Sequence, residues 1–370
     1  MPQKQHIGFY CSSTSWGGLE MNTLRYAKWM EQAGKKVTVF VIDLSRMHQE
    51  AIRLELPVVI IQKHKKYFDF KSAQNRAHLF DQLAIEVIWF RDNYDFDLLS
   101  WAKRFSKQKF KLIYQQAMQL NGSKKGPIHF LQYKSCDAWV ATLPYLAQQV
   151  GKLTHMNKHK IHVVPLGVEL AQANSPKKRS DYNIPADALV MGIIGRLDPK
   201  KDQMTAIHAL QLLRSRYPHL HLVIIGESTL HEGHAYESEL KRKVNHFDLQ
   251  ERVHFLPFSS NIANEFGLFD LFLMTSLGET FGTVTIESMG YGVPVIGTNT
   301  SGTPELLDQG NCGLLYTPQH VDELVEKIIL LADQPILRAR LKEKALHRFN
   351  EQYSKQASIK KMLTILNQWT

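Results

Sequence analysis

Two carboxylates flank a turn built from small residues. Glu279 and Glu287 lie eight positions apart, and Gly282 and Thr283 between them mark the start of a predicted helix. Backbone N–H groups at a helix start attract phosphate, whereas carboxylates accept hydrogen bonds from hydroxyl groups. A nucleotide-sugar carries both kinds of group. The turn therefore predicts a nucleotide-sugar site, and the alternative is a surface acid and a helix acid in an ordinary α/β unit.

A second turn carries two cations. Arg196 and Lys201 lie five positions apart, directly after an apolar run at residues 189–194. Arginine offers a planar fork of donors and lysine offers a point charge, so the pair is suited to holding a diphosphate. These charges would also stabilise a nucleoside diphosphate as it leaves. The alternative is a pair of exposed basic residues that cap a loop.

A third turn contains the glycine pair Gly17-Gly18, between a predicted strand at residues 6–10 and a helical pattern from Glu20. Two glycines let the backbone approach a ligand closely, and the following helix start points at it. The alternative is a flexible loop. The turn lacks the G-x-G-x-x-G pattern, which argues against a dinucleotide-dependent oxidoreductase.

The elements that must position these turns follow from the periodicity of the chain. Apolar runs of strand length alternate with helical patterns, which predicts parallel, doubly wound sheets in an α/β fold. Such sheets bind ligands at the carboxyl ends of their strands, where all three turns lie. Strands are predicted at residues 6–10, 37–42, 58–61, 87–90, 110–114, 138–142, 161–166, 189–194, 221–225, 253–256, 271–274, 293–296 and 313–316. Helices are predicted at about 20–33, 71–83, 321–332, 337–348 and 355–369, and Gly34 is predicted to end the first of them.

Length and composition limit the class of protein. A chain of 370 residues exceeds one typical core, so two domains are expected. The 44% hydrophobic and 22% charged residues are ordinary for a globular protein, and no apolar run reaches the length of a membrane span. The three cysteines show no paired spacing. We expect a cytoplasmic protein without a signal peptide or a zinc site.

The positive charge is concentrated in the N-terminal half. Residues 1–170 contain 24 Lys and Arg against 13 Asp and Glu, whereas residues 171–370 contain 21 against 22. Basic runs such as residues 63–66 indicate an anionic partner: a membrane surface, a lipid-phosphate acceptor or an acidic glycan. The alternative is a solvated face that favours solubility. No pattern typical of nucleic-acid-binding proteins is present, so no nucleic-acid partner is expected.

The three turns together carry a resemblance. The segment S-L-G-E-T-F-G-T-V-T-I-E-S-M-G-Y-G-V-P-V-I around Glu279, the G-R-L-x-x-x-K turn and the G-G-x-E turn resemble family-4 retaining glycosyltransferases of the GT-B fold. The resemblance implies two Rossmann-like domains that face a central cleft. It places the acceptor-side domain at residues 1–169, a linker at 170–187, the nucleotide-sugar domain at 188–354, and a C-terminal helix at 355–370 that crosses back to the first domain.

The resemblance also assigns roles to residues. It implies catalytic roles for Glu279, Arg196 and Lys201, with Arg196 and Lys201 on the diphosphate, Glu279 on the donor sugar and Glu287 on the ribose. The full set of expected donor-binding residues is Gly17, Gly18, Gly195, Arg196, Lys201, Phe258, Glu279, Thr280, Phe281, Gly282, Thr283, Val284 and Glu287. Candidates for contact with the acceptor are Gln116, Lys124, Lys125 and His129.

The chain departs from the family pattern in one place, and two further patterns are interpreted as structural. Many relatives carry a histidine followed by a small or acidic residue where this chain has Gln116-Ala117, which leaves the donor-sugar contacts and the acceptor open. Asp95-Phe96-Asp97 is a D-x-D motif, which we interpret as helix capping rather than metal binding. His155, His159 and His162 match no metal-ligand spacing.

These observations predict an enzyme that moves a hexose-type sugar, with retention, from a nucleoside-diphosphate donor to a hydroxyl group of a glycan or lipid-linked acceptor. Cell-envelope polysaccharide or glycolipid synthesis is the expected setting, on the inner face of the cytoplasmic membrane. The family implies that no metal is required. The alternatives are another nucleotide-sugar enzyme of GT-B fold, such as a 2-epimerase, or a non-catalytic protein that binds nucleotide-sugars or glycans.

Overall fold

The computed structural model describes residues 5–228 and 235–369, and the chain forms two units. The first unit comprises the chain up to Pro165 together with the segment from Ser358 onward, and the second comprises the residues from Leu166 to Ala357. The domain limits expected from the sequence stay predictions. The chain passes between the units twice, after Pro165 and after Ala357.

A parallel sheet forms the centre of the first unit. Its strands in the described part of the chain are β1 (His6–Tyr10), β2 (Lys36–Ile42), β3 (Val58–Ile61), β4 (Val87–Phe90), β5 (Lys111–Gln115), β6 (Ala138–Ala141) and β7 (Ile161–Val163). Their order in the sheet is β3-β2-β1-β4-β5-β6-β7. The connections therefore diverge between β1 and β4, which makes this place the topological switch point of the first unit.

Helices connect these strands. They are α1 (Gly18–Gln32), α2 (Arg46–Arg53), α3 (Phe70–Gln82), α4 (Phe96–Phe105), α5 (Pro127–Lys134) and α6 (Pro144–Leu153). After α1, Gly34 has a φ of 85°, the left-handed conformation that suits a glycine beyond a helix end. The prediction that Gly34 ends this helix is confirmed.

The second unit is built around another parallel sheet. Its described strands are β8 (Leu189–Ile194), β9 (Leu220–Ile225), β10 (Val253–Leu256), β11 (Leu271–Met274), β12 (Val295–Thr298) and β13 (Leu314–Tyr316). Their order is β10-β9-β8-β11-β12-β13, so β8 and β11 are neighbours at the switch point. The predicted doubly wound α/β architecture is confirmed in both units.

The helices of the second unit are α7 (Gln203–Leu213), α8 (Ala235–His246), α9 (Ala263–Phe266), α10 (Thr283–Gly290), α11 (Thr303–Leu306), α12 (Val321–Asp333) and α13 (Pro335–Arg348). A last helix, α14 (Lys355–Leu366), begins in the second unit and continues in the first. There the Tyr26 and Ser358 hydroxyls lie 3.1 Å apart. Within the described residues, no helix has both the length and the hydropathy that crossing a membrane requires.

Each sheet has its own apolar core. In the first unit the core is rich in aromatic rings, for example Tyr114 and Trp139, whose centroids lie 4.7 Å apart. In the second unit it is mainly aliphatic and includes Leu222, Leu273 and Ile296, all fully buried. Each such side chain contributes about 1.5–3 kcal/mol through burial. Both cores hold the carboxyl ends of the strands, and hence the turns, in fixed positions.

The structure differs from the sequence prediction at three connections. β7 ends at Val163 rather than at residue 166, since Pro165 has no N–H for a sheet. β12 begins two residues later than predicted. The predicted linker contains a short 3₁₀-helix, Arg179–Tyr182, and Arg179 Nη2 donates to Asp270 Oδ2 at 2.8 Å. Part of the linker is thus packed on the second unit.

Candidate active site

The turns after β8 and β11 are joined by an ion pair between two predicted site residues. Lys201 Nζ lies 2.5 Å from Glu279 Oε2, and both side chains are about one-quarter exposed. Leu277 N donates to Lys200 O at 2.9 Å, and the Thr275 hydroxyl donates to Lys201 O at 2.7 Å. Because β8 and β11 are neighbouring strands, residues 78 positions apart in sequence meet at one edge of the sheet.

Arg196 projects from the same turn as Lys201. Its side chain is 59% exposed, and its Nη2 atom lies 3.6 Å from Asp198 Oδ2. Gln203 Nε2 donates to the Arg196 carbonyl at 2.7 Å, which fixes the backbone of the turn. An exposed guanidinium on a fixed backbone can present its donors to a phosphate group.

Two glycines bring the turns after β8 and β9 into contact. Gly195 and Gly226 have φ values of 157° and 148°, and a Cβ on Gly226 would lie 1.9 Å from the Gly195 carbonyl oxygen. Leu197 N also donates to Glu227 O at 3.0 Å. A side chain at Gly226 would therefore collide with the backbone of the predicted donor residue Gly195, whose own φ favours glycine.

Beside this junction lies a cavity of about 390 Å³. Its lining residues are Ile194, Gly195, Arg196, Ile225, Gly226, Glu227, Ser228, Phe258, Ser259 and Ile262. The volume and the mostly apolar lining fit a planar heterocycle with a few polar contacts. Phe258 was predicted as a donor residue and lies in this lining; its backbone N–H donates to Glu227 Oε1 at 3.2 Å.

The remaining donor residues predicted in the second unit lie together in the turn after β11 and in α10. They are Thr280, Phe281, Gly282, Thr283, Val284 and Glu287. α10 starts after Gly282 without a side-chain cap, and a Cβ on Gly282 would lie 3.1 Å from Glu279 Cγ. Phe281 is 7% exposed and packs against the ring of Tyr353.

In the first unit, the glycine turn is held by a carboxylate at the start of α1. Gly17 N donates to Glu20 Oε2 at 3.0 Å, and the Ser13 hydroxyl donates to Glu20 Oε1 at 2.5 Å. Glu20 is itself 4% exposed. Gly17 is the N-cap residue and Gly18 the first residue of α1. The carboxylate therefore orders the turn rather than leaving it a flexible loop.

A buried polar cluster beneath this turn was missed by the sequence analysis. The Ser12 hydroxyl donates to Asp95 Oδ1, and His64 Nε2 lies 3.0 Å from the same oxygen. Asp95 occupies the N-cap position of α4, but its side chain makes no hydrogen bond to the start of that helix. The interpretation of Asp95 as a capping side chain is therefore wrong. Asp97 instead accepts from Phe68 N and Gln132 Nε2.

The four acceptor candidates occupy different environments. Gln116 is fully buried; its Oε1 accepts from Trp139 Nε1 at 3.0 Å and its Nε2 donates to Met118 O at 2.8 Å. Lys125 is exposed, and Lys124 and His129 lie near it in sequence. Burial, followed by the charges of Lys124 and Lys66, lowers the pKa of His129. Lys124 and Lys66 thus both lie close enough to His129 to disfavour its protonation.

A protein-family model matches the part of the chain that contains these turns and the cavity. Residues 174–348 match the family model described as "Glycosyl transferases group 1". This range contains the Arg196, Lys201 and Glu279 turns and the cavity. The matched residues make up most of the second unit.

The chain is also similar in sequence to curated proteins that are named as glycosyltransferases. The chain is 28% identical over 208 residues to a D-inositol 3-phosphate glycosyltransferase of Pseudarthrobacter chlorophenolicus, which covers 54% of this chain and 49% of the relative. It is 24% identical to the lipopolysaccharide core biosynthesis glycosyltransferase LpsE of Rhizobium meliloti, over 73% of this chain and 75% of the relative. The first of these matches spans only about half the length of the relative.

Solved structures show the fold over almost the whole chain. A glycosyltransferase from Rickettsia africae superposes with a TM-score of 0.85 at 18% identity, covering 99% of this chain and 98% of that one. The Anabaena protein HepE in complex with UDP gives a TM-score of 0.79 at 19% identity, with coverages of 98% and 100%. The predicted GT-B class, with two Rossmann-like domains, is confirmed.

Proposed function

We propose that this chain is a family-4 retaining glycosyltransferase that moves a hexose-type sugar from a nucleoside-diphosphate donor to a hydroxyl group of a glycan or lipid-linked acceptor. The observation that carries the proposal is the ion pair between Lys201 and Glu279, beside Arg196 and the cavity. Lys201 can bind a phosphate group, and Glu279 can accept hydrogen bonds from sugar hydroxyls. The two side chains contact each other at the switch point of the sheet.

The proposal places the donor in one orientation. The base occupies the cavity lined by Phe258, the diphosphate lies on Arg196 and Lys201, and Glu279 accepts hydrogen bonds from the sugar. Glu287 accepts from the ribose. HepE has been solved with UDP and with UDP-glucose, which supports a uridine nucleotide as the first donor to test.

In the proposed reaction, the bond between the anomeric carbon and the phosphate oxygen breaks, and the acceptor oxygen bonds to the same face of that carbon. The electron pair of the broken bond leaves with the diphosphate, which also takes the hydroxyl proton of the acceptor. Charge develops on the diphosphate in an oxocarbenium-like transition state. Lys201 and Arg196 stabilise that charge. The family resemblance implies no metal, and the proposal includes none.

A thermal-shift screen tests the donor site. Purified protein is heated with UDP, GDP, ADP or CMP and with the corresponding sugar nucleotides, because a ligand of the folded state raises the apparent stability by RT ln(1 + [L]/Kd). We expect one nucleotide to raise the Tm, and Arg196→Ala and Glu287→Ala to abolish the rise. Arg242→Ala, an exposed arginine on α8, is the matched control and should keep it.

The screen also separates the alternatives. Stabilisation by no nucleotide would contradict donor binding. If a nucleotide-sugar binds, incubation without acceptor followed by chromatography shows whether its sugar is epimerised, which would identify a 2-epimerase instead. Binding without any turnover over a panel of acceptors would favour a non-catalytic protein.

We also propose that the first unit contacts an anionic membrane. By composition this unit contains 26 Lys and Arg against 12 Asp and Glu, whereas the second contains 19 against 23. Aromatic side chains lie exposed among these cations: Tyr67, Phe68 and Phe70 are 44%, 55% and 42% exposed. Basic residues and aromatic rings on one surface favour anionic lipid headgroups and the membrane interface. Envelope synthesis on the inner face of the cytoplasmic membrane is the proposed setting.

Flotation with liposomes tests this contact. We expect the protein to float with vesicles of phosphatidylglycerol but not of phosphatidylcholine, and high salt to reverse the binding. The variant Lys65→Glu/Lys66→Glu should lose flotation. Lys241→Glu/Lys243→Glu in the second unit makes the same charge change and should float like wild type. Equal flotation with both lipids, or equal loss in both variants, would contradict a membrane surface in the first unit.

A further inference from the structure

Arg91 is a buried cation with two donor atoms that make no hydrogen bond to the described residues. It directly follows β4, at the carboxyl edge of the first sheet and at the switch point between β1 and β4. Its residue exposure is 3%, and its Nε and Nη1 atoms find no hydrogen-bond partner among residues 5–228 and 235–369. Neither atom belongs to the active site of the second unit. A buried guanidinium with two unused donors calls for an explanation.

A second unused donor lies beside it. Gln115 is the last residue of β5. Trp89 pairs with Ile113 and Phe90 with Tyr114. Extending this register by one residue places Arg91 opposite Gln115 on the neighbouring strand. Gln115 Oε1 accepts from Trp89 Nε1 at 3.2 Å, which fixes the amide orientation. Its Nε2 atom is buried and has no hydrogen-bond partner in the described part of the chain. Three buried donor atoms, Arg91 Nε and Nη1 and Gln115 Nε2, therefore lie at the carboxyl ends of β4 and β5. The described residues supply no acceptor for them.

Arg91 forms no ion pair with any residue that the structure describes. Burial lowers the pKa of Arg91, and the side chains that act on it most strongly after burial are Tyr26, Tyr114 and Arg25. None of these is a carboxylate, and Arg25 is a second cation, held by a 3.1 Å bond to Asn22 Oδ1. A buried charge without a counter-ion destabilises a fold. Such a residue is tolerated most readily where an anion completes the site.

We propose that Arg91 and Gln115 form an oxyanion site in the first unit, and that it receives a phosphate or carboxylate group carried by the acceptor. Arginine binds such groups with two parallel hydrogen bonds, and an amide N–H adds a third from the neighbouring strand. The crevice at a topological switch point is the place where sheets of this kind admit ligands. Assigning the anion to the acceptor rests on the proposed glycosyltransferase function; the oxyanion site does not.

The first experiment measures anion binding without turnover. Thermal unfolding is followed while phosphate, acetate or chloride is varied at constant ionic strength, in an Arg196→Ala background that weakens phosphate binding in the second unit. We expect phosphate or acetate to raise the Tm, and Arg91→Met to remove the rise by weakening binding at least tenfold. Arg53→Met, an exposed arginine of the same unit, should keep it.

The unfolding temperature of Arg91→Met in the absence of a bound anion is a second readout. Because Arg91→Met removes an uncompensated buried charge, the variant should unfold at the same or a higher temperature than its parent in anion-free buffer. Gln115→Leu should weaken the phosphate response without abolishing it. A Tm rise that persists in Arg91→Met, or one produced equally by chloride, would overturn the oxyanion site.

The second experiment identifies the source of the anion. UDP should stabilise Arg91→Met as much as wild type if the site does not hold the donor diphosphate, and loss of that response would overturn the acceptor assignment. With matched acceptors, Arg91→Met should raise KM for the anionic acceptor and leave KM for its neutral counterpart unchanged. Arg91-dependent phosphate binding in a protein without transferase activity would refute the proposed function and the acceptor assignment while leaving the oxyanion site in place.

Discussion

His64 Nε2 lies 3.0 Å from Asp95 Oδ1, and neither side chain is exposed to solvent. The same carboxylate accepts hydrogen bonds from the backbone and the hydroxyl group of Ser12. Ser12 lies beyond β1, His64 beyond β3 and Asp95 beyond β4, so one carboxylate ties together three carboxyl ends of the first sheet. The glycine turn begins directly after Ser12, so this cluster helps to fix the position of the turn.

The cluster predicts a pH-dependent stability of the first unit. Burial alone would lower the pKa of His64, but its hydrogen bonds to Asp95 and to the Lys65 carbonyl raise the pKa above the usual value. A raised histidine pKa contributes stability that is present below about pH 6.5 and is lost as the pH rises through the folded pKa. We therefore expect His64→Gln to destabilise the first unit more at pH 6 than at pH 9.

Tryptophan fluorescence measures this effect in one unit alone, because all six tryptophans of the chain lie in the first unit. Urea unfolding of wild type and His64→Gln is compared at the two pH values. His78→Gln, an exposed histidine of α3, is the control and should show no such dependence. Asp95→Asn should cost about 3 kcal/mol, as expected when one partner of a buried pair is lost. Equal destabilisation at both pH values would disprove a charged His64.

Removing the Lys201 amine should slow sugar transfer with little effect on folding. The amine acts on charge that develops in the transition state, so we expect Lys201→Ala to lower kcat/KM by about 10²- to 10³-fold. Lys200→Ala removes an exposed amine from the adjacent position and serves as the control. Release of nucleoside diphosphate from the donor is the measured quantity. Comparable losses in the two variants would argue against a specific role for Lys201.

Gly226→Ala should abolish nucleotide binding while leaving the first unit folded. The new methyl group would lie 1.9 Å from the Gly195 carbonyl oxygen, at a φ of 148°. The turns after β8 and β9 must separate, and the cavity between them changes shape. Gly267→Ala adds the same methyl group where nothing lies within 4 Å and should bind normally. The comparison uses nucleotide-induced thermal shifts, with tryptophan fluorescence as the check on folding; unimpaired binding by Gly226→Ala would refute the packed junction.

A stacked histidine pair should make the second unit sensitive to acid. His221 Nδ1 lies 3.0 Å from His254 Nε2 on the neighbouring strands β9 and β10. Burial, followed by the nearby His254, lowers the pKa of His221 to about 4. A lowered histidine pKa keeps the folded state neutral, so stability is lost as the pH falls from about 6.5 towards 4, by on the order of 3 kcal/mol.

Calorimetry between pH 7 and pH 4.5 tests the histidine pair. The variant His221→Val keeps a strand-forming, buried side chain but removes the titrating ring. Its Tm should fall less over this range than that of wild type. Exposed His246→Ala, on α8, should fall as wild type does. A decline that is identical in all three proteins would place the acid sensitivity elsewhere in the chain.

The sequence predicted best what depends on neighbouring residues in the chain. Apolar runs placed β1, β3, β4, β8, β10 and β11 at their observed limits, because a buried parallel strand needs a continuous apolar segment. Lys201 and Glu279 were both selected from their turns, but their contact depends on the pairing of β8 with β11. Turn chemistry is local, whereas strand order is not.

The buried polar groups could not be predicted in this way. Ser12 is 52 residues from His64 and 83 from Asp95, and no periodicity links them. His64 was interpreted as part of a basic run, and Asp95 as a cap, because both interpretations use only adjacent residues. The unused donors of Arg91 and Gln115 likewise become visible only when the register of β4 and β5 is known.

The two passages of the chain between the units affect how the protein folds during synthesis. The first unit is completed only by residues from Ser358 onward, where Ser358 meets Tyr26 and Leu366 accepts a 3.4 Å bond from Gln5. During synthesis every residue of the second unit is added before Ser358, so the second unit has all its residues while the first still lacks most of α14. Although residues up to Pro165 are synthesised first, the first unit therefore completes its fold after the second, and a chain truncated before Ser358 would be damaged in the first unit.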